Sequence, residues 1–377
     1  MGSSTVGERR RRRFGGVRTG VAALVAAGVL GAVFAPSALA GISGSGAGSH
    51  PMGDAAPVSA SPTPGAPGAG TMAVSPKVAT TSATTWNAAA AAEFWTPARL
   101  ASALPADAPK PVTQQPVTQQ PVTQPAARSS TRTAARTAAR AAGVVADSVP
   151  NSSSIARSTH FSGASSTGII FYASKDLTTH YCTASVVDSH YGNLIIMAAH
   201  CNPGSWMAYV PKYQHGAAKQ PYGIWAVTKV FKDSHYTGTP ATSDYDYAFA
   251  QVAKNAKGQT IQSVTGGNWL SHTPSYSMYV TALGYPKITA DSADQAIRCH
   301  PNYPTQRLTG YRQMVLYCTG FWGGTSGGPW ITYFNGNTGY LVGITGGYEE
   351  GGPNSWTSYS PIFDDRIFTL FNYAEYH

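Results

Sequence analysis

Aromatic residues and cysteines are concentrated toward one end of this chain. All 21 Tyr, all four Cys and six of the eight Trp lie beyond residue 160, whereas residues 1–150 hold 15 of the 26 Pro. A core needs large apolar side chains, so a boundary is expected near 150–165. The part beyond it, roughly 215 residues, is long enough to bury most of its apolar surface.

The first 150 residues read as leader and tether. Arg9 to Arg13 and Arg18 precede an apolar run from Val21 to Phe34, and Ala38, Leu39 and Ala40 then form a small-x-small site of the kind a signal peptidase cuts before Gly41. That run is too short and too rich in Ala and Gly to span a bilayer, so residues 1–40 are expected to be a signal peptide, with secretion and no stable membrane insertion. Residues 41–164 are expected to be a low-complexity Ala/Pro/Thr-rich pro-segment or tether. They include P-V-T-Q-Q twice and P-V-T-Q once between Pro111 and Pro125, and such a segment buries too little apolar area to offset its ordering entropy. Arg128, Arg132, Arg136 and Arg140 recur every four residues, a spacing that would give a helix a basic stripe.

Of the formal charge of +9, all but one unit belongs to the first 150 residues. Residues 1–150 carry 13 Lys or Arg against 5 acids, and residues 151–377 carry 13 against 12. A nucleic-acid partner needs a basic face on the folded part, and a surplus of one positive charge does not build one.

Beyond 165 the chain alternates short apolar runs with turn residues. Candidate strands are Gly168–Ala173, Thr183–Val187, Leu194–Ala198, Trp206–Val210, Ile224–Phe231, Tyr247–Val252, Met278–Leu283, Met314–Cys318, Trp330–Phe334 and Leu341–Ile344, with one candidate helix around Phe363–Tyr373. This pattern predicts an all-β domain over 165–377, either a sandwich or a pair of barrels. In a secreted chain Cys182, Cys201, Cys299 and Cys318 are expected to form two disulfides, and of three connectivities the sequential one is favoured. Their spacing does not resemble a structural zinc site.

Three short stretches carry possible chemistry. In Gly323-Gly324-Thr325-Ser326-Gly327-Gly328-Pro329 a serine stands between glycines. Its hydroxyl can be approached there, and backbone N–H groups can converge on one point, although composition alone favours a flexible Gly-rich turn. Leu194 to Cys201 is an apolar strand that delivers His200 beside a cysteine, a placement firm enough for a base. Asp246 directly precedes Tyr247-Ala248-Phe249-Ala250-Gln251-Val252 and so stands at the edge of a core strand, with Asp244 as the alternative carboxylate.

The order His200, Asp246, Ser326, with A-A-H-C, D-Y-A-F and G-T-S-G-G-P around them, resembles the chymotrypsin-like serine endopeptidases, in particular their secreted bacterial branch near the glutamyl endopeptidases. The resemblance covers roughly 165–360. It implies two antiparallel six-stranded β-barrels, over about 165–262 and 263–360, which the candidate C-terminal helix follows and an N-terminal region expected from its composition to be disordered precedes. It also implies Ser326 as nucleophile, His200 as base and acid, Asp246 as the orienting carboxylate, and Gly324 and Ser326 N–H groups as the oxyanion hole. Cys182–Cys201 matches the family's bridge beside the histidine, and Leu283-Gly284-Tyr285-Pro286 resembles its G-Y-P turn.

Two departures narrow the expectation. Thr325 replaces the acid that pairs with a newly cut amine in the animal enzymes, so activation of the zymogen by that ion pair is not expected. In the implied specificity pocket Gly320, Phe321, Thr345, Gly346 and Gly347 supply neither the acid of the trypsin branch nor the histidine of glutamyl-specific relatives. Uncharged residues are therefore expected before the scissile bond, the alternatives being a glutamyl-specific enzyme or an inactive protease-like binding protein. Protein or peptide substrates, a monomer, and no cofactor or metal complete the reading; there is no H-E-x-x-H and no calcium loop.

Overall fold

A computed structural model describes residues 77–80, 86–106, 155–201, 204–293 and 295–377. The signal peptide expected over 1–40, the P-V-T-Q-Q repeat and the arginine stripe at 128–140 lie outside the described residues. All described residues belong to one compact unit.

Six strands form the first barrel: β1 (Thr167–Ala173), β2 (Thr179–Val186), β3 (Leu194–Met197), β4 (Ser205–Pro211), β5 (Trp225–Lys232) and β6 (Ala248–Val252). They pair antiparallel in the closed order β1–β2–β3–β6–β5–β4–β1, and closure leaves no edge strand within the ring. Ile170, Leu194, Ile196, Trp225, Phe231 and Phe249 are fully buried in its core. β3 is buried at every position, which is why it reads in sequence as an unbroken apolar run rather than an alternating one.

The second set comprises β7 (Thr281–Gly284), β8 (Ile297–Cys299), β9 (Gln313–Thr319), β10 (Pro329–Thr332), β11 (Tyr340–Ile344) and β12 (Thr357–Pro361). Strands β8–β7–β10–β11 pair antiparallel, as do β9–β12. Gly346 N donates to Tyr359 O at 3.0 Å and Ile344 N to Ser360 Oγ at 3.0 Å, joining the two sheets on one side. On the other side the chain at 155–160 bridges them. Ala156–Arg157 pairs with Cys318–Thr319, and Thr159–His160 pairs with Ile297–Arg298. The folded unit thus takes in residues ahead of 165. A helix, α3 (Asp365–Tyr376), capped by Asp364 and burying Ile367, Leu370 and Ala374, returns to the first barrel, where Phe371 meets Phe249 at 5.5 Å.

Two pieces of the low-complexity stretch are built onto the first barrel. Lys77–Thr80 pairs antiparallel with Lys229–Lys232 of β5. Residues 86–106 form two short helices, α1 (Ala88–Phe94), capped by the Asn87 side chain, and α2 (Pro97–Ala101), capped by Thr96 with Pro97 in its first turn. Leu104–Pro105 then pairs in parallel with His180–Tyr181 of β2. The anchors are tryptophans: Trp95 is fully buried against Phe171, its Nε1 donating to Trp206 O at 2.7 Å, and Trp86 Nε1 donates to Met207 O at 2.9 Å. A buried indole needs such an acceptor. No described helix is long and apolar enough to cross a membrane.

Candidate active site

β3 ends at Met197, and the turn Ala199–Cys201 that follows presents His200. Cys201 is bonded to Cys182 of β2, and Cys299 of β8 to Cys318 of β9, the sequential pairing expected. The polar atoms of Cys182, His200 and Cys201 lie within 4.8 Å of one another. Both sulfurs are spent in the disulfide, so the group is a brace for the imidazole rather than a thiolate metal site.

Asp246 is fully buried at the entrance to β6 and grips His200 twice: its Oδ2 lies 2.7 Å from the ring Nδ1, and its Oδ1 accepts the His200 backbone N–H at 2.7 Å. Gly347 N–H, from the loop after β11, also donates to Oδ2 at 2.7 Å. A carboxylate so bonded fixes both the rotation of the ring and the nitrogen that carries its proton. Asp244, the alternative, points elsewhere, accepting from Arg312 N at 3.0 Å and Gln313 Nε2 at 2.9 Å.

Ser326 lies in the loop before β10, which β2 organises. Thr183 N–H is shared between Gly324 O at 3.0 Å and Ser326 O at 2.9 Å, and Thr183 Oγ1 donates to Gly324 O at 2.8 Å while accepting from Tyr285 N at 2.9 Å. The G-Y-P turn therefore packs beneath the serine loop, and a Cβ on Gly284 would come within 2.8 Å of the Thr325 side chain. Two loop glycines are irreplaceable on geometry. Gly324 (φ 96°) and Gly327 (φ 80°) lie in the left-handed region, and Cβ atoms there would sit 2.7 Å from Tyr285 O and 2.3 Å from Thr183 O. Because a Gly327 Cβ would also meet Ala198 N at 2.9 Å, the serine loop rests directly against the chain leading to His200. Gly323 O accepts from Lys287 N and Thr325 O from Gly328 N; in trans peptides this aims the Gly324 and Ser326 N–H groups the opposite way.

Beside Ser326 opens a cavity of about 250 Å³ lined in part by Phe321, Trp322, Thr345, Glu349, Glu350 and Asn354. Of the five expected pocket residues, Phe321 and Thr345 face it. The other three do not line it: the Cβ directions of Gly320, Gly346 and Gly347 are taken up by Ser158, Asp246 and Gln313. Glu349 and Glu350 were not among those five. They form part of the lining, with left-handed backbones (φ 52° and 55°), and Glu350 O accepts from Ser326 Oγ at 3.4 Å. Tyr236 was missed. Its phenol is pushed well above the usual tyrosine range by burial first and then by the charges of Asp246 and Glu350.

Comparison with known proteins rests on shape. Protease Anisep from Arthrobacter nicotinovorans superposes with a TM-score of 0.50 at 23% identity, over 58% of this chain and all of that one. The fold is that of the chymotrypsin-like serine proteases. The thermostable serine protease AL20 from an extremophilic microorganism (TM-score 0.49, 23% identity, 56% of this chain and 97% of that one) and a Glu endopeptidase (0.45, 18%, 59% and 98%) were also found. No family model matches the sequence, and no curated protein does.

Proposed function

We propose that this chain is a secreted serine endopeptidase in which Ser326, His200 and Asp246 act as a triad. The observation that carries the reading is the fully buried Asp246 holding His200 by ring and backbone. Ser326 Oγ attacks the scissile carbonyl carbon, the carbonyl π electrons move onto oxygen, and His200 takes the hydroxyl proton. Gly324 and Ser326 N–H groups receive the oxyanion, a donor of this kind being worth roughly 3–4 kcal/mol. Collapse breaks the C–N bond as His200 passes its proton to the leaving amine. Water, deprotonated by His200, then cleaves the acyl ester and restores Ser326. Asp246 keeps the ring oriented and stabilises the imidazolium. Two disulfides fit export to an oxidising compartment.

Ser326→Ala tests the reading. Amide hydrolysis should fall by at least ~10³-fold while the melting temperature holds, because the triad acts as a unit. Unchanged turnover in a preparation free of host protease would sink it. For the first pocket we infer an uncharged preference with acids excluded. No Lys, Arg or His lines the cavity among the described residues, and Glu349 and Glu350 do. A substrate carboxylate would lose hydration and meet like charge. Glutamyl specificity is thus the weaker alternative, and kcat/KM for matched peptides should fall in the order Leu or Phe, Arg, Glu. A tenfold preference for Glu would overturn that order.

A further inference from the structure

Gln313 begins β9 in the second barrel and is fully buried. Burying a primary amide is costly unless its hydrogen-bonding groups are matched, and here each end is claimed by a different wall of the site. Nε2 donates to Ser243 Oγ at 2.9 Å and to Asp244 Oδ1 at 2.9 Å, both in the turn Pro240–Tyr245 that leads into Asp246. Oε1 accepts from Tyr348 N at 2.9 Å. Tyr348 directly follows Gly347, whose N–H holds Asp246 Oδ2, and directly precedes Glu349 and Glu350 in the cavity lining.

The connections close a circuit. Ser243 O accepts the Asp246 N–H at 3.2 Å, so the same short turn is bonded to Asp246 through its backbone and to Gln313 through its side chains. A Cβ on Gly347 would lie 2.4 Å from Gln313 Oε1, so the amide also fills the only direction in which a residue there could grow a side chain. Asp246 is therefore held between two segments that share one anchor, and neither segment is tied to the other by a main-chain strand. We propose that Gln313 is the positioning residue of the site. It sets the distance between the Asp246–His200 pair and the rim of the substrate pocket, and so makes imidazole placement and pocket shape change together. Asp244 takes part as an acceptor in this anchor rather than as a member of the triad.

The inference rests on the endopeptidase reading, and its test separates the two. Full-length chain carrying Gln313→Leu, which keeps the volume and removes all three bonds, and Gln313→Glu, which keeps the acceptor for Tyr348 N and loses both donors, are titrated with a fluorophosphonate serine probe. The titration counts competent Ser326. Turnover of a peptide amide is then expressed per titrated site, so that a merely structural loss, which lowers the fraction labelled, drops out. Gln313→Leu should lower kcat per site at least about tenfold and raise KM, given that a misplacement of ~1 Å costs on the order of 10²-fold. Gln313→Glu should lower kcat with KM near wild type, because its pocket-side bond survives. Ser243→Ala, which removes one acceptor of the amide from the opposite wall, should give a smaller kcat loss and carries the test if the Gln313 variants do not fold. Per-site kcat and KM within twofold of wild type in the variants that fold would overturn the inference. Failure of the wild-type chain to react with the probe would instead overturn the endopeptidase reading.

Discussion

His200 and Asp246 reach the site from the ends of strands buried at all but one position, and they are held by side-chain bonds of 2.7 Å; Ser326 and its pocket come from loops where four glycines flank the serine and are held by carbonyls. The first side is built by what its side chains supply, the second by the side chains its glycines lack. The two should therefore fail differently. On the first side, changing a functional group at constant volume should be ruinous and adding volume nearby should matter less. On the second side, one added methyl should be ruinous.

The sharpest break is Asp246→Asn. The amide keeps the shape but presents N–H to one of three donors, His200 N, His200 Nδ1 or Gly347 N, and favours the wrong tautomer, so kcat should drop by about 10⁴. A loss under tenfold in steady-state assays would mean that the grip on His200 is not catalytic. Next in size is Trp95→Ala, which empties a fully buried site on the outside of the first barrel. It should cost about 3–5 kcal/mol in denaturant unfolding while kcat per titrated site stays near wild type. If kcat falls first, the docked helices belong to the catalytic side after all. Gly327→Ala comes third: its Cβ would collide with main-chain Thr183 O, and kcat should fall 10²–10³-fold through the oxyanion geometry. A variant with full activity would show that this loop has slack.

The smallest effect is on stability at high pH. Burial raises the phenols of Tyr209, Tyr236 and Tyr247 above the usual 10.0, and burial followed by nearby charges raises that of Tyr359 to about 12. These groups stay protonated in the fold after the unfolded chain has begun to lose their protons. Unfolding therefore releases protons, and stability should fall as pH rises above about 10. Melting temperatures at about pH 9 and 11 measure this, with phenolate absorbance appearing at the melt; an unchanged Tm would be contrary.

Most of the proposed catalytic residues could be picked out because each is announced by its neighbours: an apolar strand runs into His200, another runs out of Asp246, and glycines surround Ser326. Strand periodicity located ten strands within a few residues and missed Ile297–Cys299 and Thr357–Pro361, the first being three residues long and the second rich in Ser and Thr. Gln313 was invisible because its partners lie 35 to 70 positions away along the chain. Residues 86–106 were masked by the composition around them. Their signals were Trp86 and Trp95, two large apolar side chains with no local core to enter, together with Asn87 and Thr96-Pro97 as helix starts.

Those tryptophans are synthesised before any of the surface that receives them. Trp86 and Trp95 bond to carbonyls 121 and 111 residues downstream, so the helices must wait through the making of β1 to β4 before they can dock. Lengthening a loop adds only slowly to the entropy of closing it, which makes so late a return affordable. A chain begun at residue 155 would never receive them. It would leave Phe171 and Trp206 without their aromatic cover, and so would be prone to self-association.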